Sequence, residues 1–146
     1  RSRRGIFVTL QFLVLEVDSG AVTFANGGHP PFFWLRRREG KVSRRRKATG
    51  LPLGINAGAE YREGKLLLGP GDLLLCCTDG LLEARGSRGE AYGRSRLERV
   101  LLRRGRGGNE LVQAIVKDLE GFTGDMPQRD DITLLALEWA CDGKPD

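Results

Sequence analysis

The sequence predicts an α+β fold, mostly antiparallel strands with two helices late in the chain. Three observations predict it. Apolar or alternating runs recur from Ile6 to Cys77 and are separated by Gly, Pro and Asp turns. Helical periodicity enters only with "RSRLERVLLRR" at 94–104. The chain then returns to a strand-like run, "ITLLALEW", at 132–139.

In chain order, residues 6–17, "IFVTLQFLVLEV", are rich in β-branched and aromatic side chains and predict a long strand. Asp18-Ser19-Gly20 makes a turn, and 21–26 returns as the second strand of a hairpin. The segment Gly27-Gly28-His29-Pro30-Pro31 breaks the pattern. A second hairpin follows, "FFWLRRR", a turn at Glu39-Gly40, then "KVSRRRK". The loop "ATGLPLGINAGAE" leads to a strand at 61–68, and Pro70-Gly71 turns the chain into "LLLCC" at 73–77. Leu97, Val100 and Leu101 mark one helix, which Gly105 ends. Asn109 is the expected N-cap of the next, where Leu111, Ile115, Leu119 and Phe122 form one apolar stripe. Residues 1–140 read as one domain portion and 141–146 as a frayed tail.

The 146 residues suit one domain or a large piece of one. A 40% hydrophobic content is enough for a core, and the net charge of +5 permits an anionic partner without demanding one. No apolar run approaches the roughly 18 residues of a membrane helix, and nothing resembles a signal peptide. Cys76, Cys77 and Cys141 show no metal-binding spacing, and His29 is the single histidine. Adjacent strand residues point to opposite faces, so Cys76 and Cys77 are not expected to pair. Structural thiols in a reducing cytoplasm are the expectation.

Two acidic sites flank the strand ends. Asp79 follows "LLLCCT", and Asp130-Asp131 precedes "ITLLALEW". If these strands are antiparallel neighbours, the end of one lies beside the start of the other. With strands roughly 4.8 Å apart, the carboxylates would then share one rim, within reach of one hard divalent cation that relieves their repulsion. The plain alternative is a turn at Asp79-Gly80 and a loop at Asp130-Asp131.

Six motifs in order bear on this choice: "FVTL" at 7–10, "VTFANGGHPP" at 22–31, "TGLPLGI" at 49–55, "LGPGDLLLCCTDGLLEAR" at 68–85, "GEAYG" at 89–93 and "QRDDITLLAL" at 128–137. Together they resemble the C-terminal part of a PPM-type, metal-dependent serine/threonine protein phosphatase of the SpoIIE-like bacterial branch. The resemblance implies a sandwich of two antiparallel sheets flanked by helices. It also implies two Mg²⁺ or Mn²⁺ ions that activate a water against phosphoserine or phosphothreonine. No protein nucleophile is implied. Asp79 matches the metal aspartate of the TDG motif and Asp130 that of the closing DD motif. Asp131 is a weaker candidate, because relatives carry Asn or Asp there. The family's earlier motifs, including the bridging aspartate, have no counterpart and are expected upstream of Arg1. An isolated chain is then expected to be inactive, and self-association is possible.

Relatives act on phosphorylated regulatory proteins such as anti-sigma-factor antagonists, so such a protein is the expected partner. A non-catalytic partner-binding module of the same fold is the alternative. A nucleic-acid binder is a third reading, raised by the basic hairpin at 36–47 but weakly supported, since Phe32, Phe33 and Trp34 precede the basic run instead of interleaving with it. His29 beside Pro30-Pro31 reads as a structural turn. Glu83, Glu90 and Tyr92 read as loop residues over the site.

Overall fold

The run Leu73–Cys77 is apolar at every position because both of its faces are covered. It is an inner strand of the sheet that divides the molecule. The computed structural model describes residues 6–44, 49–104 and 107–140. Its elements run β1 (Leu10–Glu16), β2 (Ala21–Gly27), β3 (Phe33–Arg36), β4 (Lys41–Arg44), β5 (Thr49–Gly50), β6 (Gly64–Leu67), β7 (Leu73–Cys77), α1 (Asp79–Glu83), α2 (Gly93–Arg104), α3 (Gly108–Thr123) and β8 (Leu134–Glu138).

Two four-stranded sheets form. One joins β1, β2 and β5 in order, with β6 also on β2; the other has the order β4-β3-β7-β8. All pairings are antiparallel except the short β2–β5 contact. Strand alternation then sorts the side chains into two cores. Val22, Phe24, Phe32, Trp34, Leu66, Leu68 and Leu74 pack between the sheets. Phe33, Leu35, Leu73, Leu75 and Cys77 face the other way and meet the stripes of α2 and α3. The layers are therefore sheet, sheet, helices, as expected for a sandwich with flanking helices.

The buried Asp72 closes the turn before β7. Its carboxylate accepts from Trp34 Nε1 (3.0 Å), the Arg37 amide (2.9 Å) and the Gly69 amide (3.0 Å). Three donors offset the burial of a charge at the end of the sandwich. Cys76 packs toward the inter-sheet core and Cys77 toward the helices, so the two thiols point apart as expected. Burial pushes both thiols up to about 11, which makes them inert packing groups.

Several elements differ from the sequence expectation. β1 starts at Leu10, not at Ile6; before it, Val8 and Leu53 exchange backbone hydrogen bonds in an isolated bridge. β6 starts at Gly64, three residues after Tyr61. Asp79 does not merely end a strand in a turn: it opens the short helix α1. Gly107, not Asn109, is the N-cap of α3, and its carbonyl accepts from the Leu111 amide at 3.1 Å. Of the basic hairpin, Arg36 pairs with Glu39 (2.8 Å), and Arg37 bonds the Gly71 carbonyl and reaches Glu138. β4 is an edge strand, so its charges also discourage edge pairing. Arg45, Arg46 and Lys47 lie outside the described residues, as does the tail 141–146.

Among the described residues, nothing covers the outer face of the first sheet. Leu10, Phe12 and Val14 of β1 and Leu67 of β6 are exposed, while Leu13 and Leu15 point into the core. No helix among the described residues is long and apolar enough to cross a membrane.

Candidate functional site

The register of β7 and β8 builds the rim. Leu73 pairs with Glu138 and Cys77 with Leu134, so the end of β7 meets the start of β8. Thr78 extends the pairing by one residue. Its amide donates to the Thr133 carbonyl (3.2 Å), and its hydroxyl accepts from the Thr133 amide (3.0 Å) while donating to the Asp131 carbonyl (2.9 Å). One side chain thus binds Asp131 and Thr133 to the residue before Asp79.

Gly80 sets the closeness of that approach. A Cβ placed on it would stand 2.5 Å from the Asp131 carbonyl oxygen. Any side chain would push the 130–131 backbone away from α1, which is the physical reason for glycine after Asp79. Asp79 and Asp130-Asp131 therefore lie at the same rim, as expected from the strand ends. All three residues are exposed. Asp130 also turns its own loop: Oδ1 accepts from the Asp131 amide (2.8 Å), and its carbonyl accepts from Gln128 Nε2 (2.8 Å).

Asp79 and Asp130 line different hollows. Asp79 opens onto a cleft of about 690 Å³ shared with Glu83, His29, Arg44 and Arg94. Asp130 and Gly80 line a second cavity of about 280 Å³, with Arg85, Glu120 and Arg129. Among the described residues, none of Asp79, Asp130 and Asp131 is engaged in an ion pair. Oxygen-only donors, exposed and without a cationic side-chain partner, fit a hard divalent ion. The set is sparse, because no group of three or more potential ligands forms among the described residues.

The chain belongs to the SpoIIE family. The family model described as Stage II sporulation protein E (SpoIIE) matches residues 1–140. Protein IcfG of Synechocystis is 33% identical over 132 residues, covering 90% of this chain and 20% of IcfG. The phosphoserine phosphatase RsbU of Bacillus subtilis is 29% identical over 84 residues, 58% of this chain and 25% of RsbU. The phosphatase domain of B. subtilis SpoIIE, solved after presoaking with Mn, superposes with a TM-score of 0.71 over 92% of this chain and 57% of that one. At 20% identity that likeness shows the shared fold. The chain spans a quarter or less of its curated relatives and just over half of that SpoIIE domain.

The SpoIIE-family motifs also place residues read as loop or turn. His29 is held by its turn: its amide donates to Asn26 Oδ1 (2.9 Å), its carbonyl accepts from Asn26 Nδ2 (2.8 Å), and Nδ1 lies 3.1 Å from Thr9 Oγ1. Asn26 is 3% exposed, so this turn is a built part of the fold. Glu83 sits on α1, not in a loop. Tyr92 is a core residue, which excludes a surface role over the site. Its ring packs edge-on against Phe122 and its hydroxyl donates to Asp118 at 2.9 Å. Glu90 stays in a tight turn, where its carbonyl accepts from the Gly86 amide. In the sequence Thr78 stands only as part of its motif and Arg44 only as part of the basic hairpin, and Arg94 carries no signal; the place of Thr78 at the rim and of both arginines in the cleft beside Asp79 follows from the fold.

Proposed function

We propose that this chain supplies carboxylate ligands to the centre of a metal-dependent phosphatase acting on phosphoserine or phosphothreonine of a regulatory protein. The observation that carries this reading is the β7–β8 register, locked by Thr78 and Gly80, with Asp79 and Asp130 at one rim. Asp79 and Asp130 would hold Mg²⁺ or Mn²⁺, with Asp131 a lesser ligand. When bound, such ions supply charge neutralisation at the phosphoryl oxygens and a more acidic water. Thr78 and Gly80 hold the two ligand segments in register, and Glu83 adds negative charge beside Asp79.

The substrate class we infer is a phosphorylated anti-sigma-factor antagonist, acted on in the cytoplasm. The support is the similarity to RsbU, which is itself named a phosphoserine phosphatase. The sparse ligand set favours a second reading, a non-catalytic partner-binding module. One experiment separates them. The intact gene product should hydrolyse p-nitrophenyl phosphate and a phosphorylated antagonist with added Mn²⁺. Asp79→Asn and Asp130→Asn should each remove most of that activity, and Asp131→Asn less. Unchanged Mn²⁺-dependent turnover in Asp79→Asn would overturn the assignment. Absence of turnover with tight antagonist binding would favour the module.

A further inference from the structure

We infer that Arg44 and Arg94 anchor the substrate's phosphate in the cleft onto which Asp79 opens, an inference that rests on the phosphatase reading above. Separate elements bring polar and charged groups to this cleft. The turn before β3 brings His29, β4 ends in Arg44, α2 starts with Gly93 and Arg94, and α1 carries Asp79 and Glu83. Two guanidiniums thus line the same hollow as the candidate metal carboxylate.

A phosphomonoester carries about −1.5 to −2 charges at neutral pH. Cationic donors in the same cleft offset the repulsion that Asp79 and Glu83 would exert on it. Arginine suits this, since its planar fork donates two parallel hydrogen bonds to phosphate. Arg44 is half-buried, with its guanidinium 5.4 Å from the centre of the Phe33 ring, which restrains it before any ligand arrives. Arg94 is exposed and, among the described residues, makes no hydrogen bond or ion pair.

The other cationic hollows fit less well. In the cavity beside Asp130, Arg85 already donates to the Gly89 carbonyl, and Glu83, Glu120 and Asp130 outnumber its two arginines. The groove between α2 and α3 is more basic, but Arg96 is committed to Asp118 at 2.8 Å and neither Asp79 nor Asp130 lines it.

The test is titration of inorganic phosphate into the intact gene product with Mg²⁺ present, read by ³¹P NMR. Arg94→Ala should weaken phosphate binding about 10-fold, as loss of a charged hydrogen bond implies. Arg94→Lys, which keeps the charge, should restore part of it with Mg²⁺ affinity close to wild type. Arg44→Ala should act in the same direction, and Arg94→Ala keeps the test open if Arg44→Ala fails to fold. With a phosphorylated antagonist, Arg94→Ala should raise KM more than it lowers kcat. Wild-type protein that binds no phosphate, or equal phosphate affinity in wild type and Arg94→Ala, would overturn the anchor. Hydrolysis with an unchanged phosphate affinity in Arg94→Ala would sink the anchor alone. Arginine-dependent phosphate binding without any hydrolysis would sink the phosphatase reading and leave the anchor standing.

Discussion

Thr78 is the residue on which the rim depends most. Its hydroxyl serves as donor to one backbone group of the 131–133 segment and acceptor for another. Valine has the same shape without either capacity. Thr78→Val should destabilise the fold by about 1–2 kcal/mol, two net hydrogen bonds partly replaced by water at a half-exposed position. Urea unfolding checks this through a lower midpoint at unchanged slope. An unchanged midpoint would mean that the backbone pairing of β7 and β8 holds the rim unaided. Gly80 acts at the same scale, with no space for a Cβ against Asp131. The sequence showed the Asp79-Gly80 pair plainly but not why glycine stands there. The reason is a contact with a segment about fifty positions later, which no local pattern reveals.

At the scale of elements, legibility followed periodicity. β7 was read at its observed bounds because an apolar run bounded by turns has few other interpretations. The stripes Leu97, Val100, Leu101 and Leu111, Ile115, Leu119 are buried as the spacing required. The five-residue α1 was missed because it is too short to show a period. Asn109 was misread as a cap because glycine lacks the side-chain signal on which cap reading rests, and Gly107 has a positive φ of 70°. Tyr92 was misread because its partners, Asp118 and Phe122, come from α3.

That α2–α3 seam makes a pH prediction. Burial alone would raise the Asp118 carboxyl, but hydrogen bonds from Arg96 and Tyr92 and the charges of Arg96 and Arg99 outweigh it and hold the group below its ordinary value. A carboxylate depressed in the folded state stabilises the fold above its unfolded pKa. That stability is lost as pH falls through the folded value. The thermal midpoint should therefore drop on acidification in wild type, and less in Asp118→Asn. Parallel acid limbs in the two proteins would show that the seam contributes nothing to acid stability. The Arg96 guanidinium, raised chiefly by its hydrogen bond to Asp118, stays charged throughout this range.

At the scale of the molecule, both cores are buried and, among the described residues, one sheet face is open. The helices cover β3, β7 and β8, whereas Leu10, Phe12, Val14 and Leu67 remain in water. The bare face accords with a chain that spans just over half of the SpoIIE phosphatase domain it resembles. The strand ends and motifs let Asp79 and Asp130 be expected at one rim, while the cleft that Asp79 lines together with Arg44 and Arg94 required the fold. The central proposal is that Asp79 and Asp130, brought to one rim by β7 and β8, ligate one cation. Mn²⁺ binding, followed by electron paramagnetic resonance of the free ion during titration, tests it most directly. One weak site in the wild-type chain, lost in both Asp79→Asn and Asp130→Asn and only weakened in Asp131→Asn, is the result the rim geometry requires. Mn²⁺ affinity that is the same in wild type and in Asp79→Asn would contradict it.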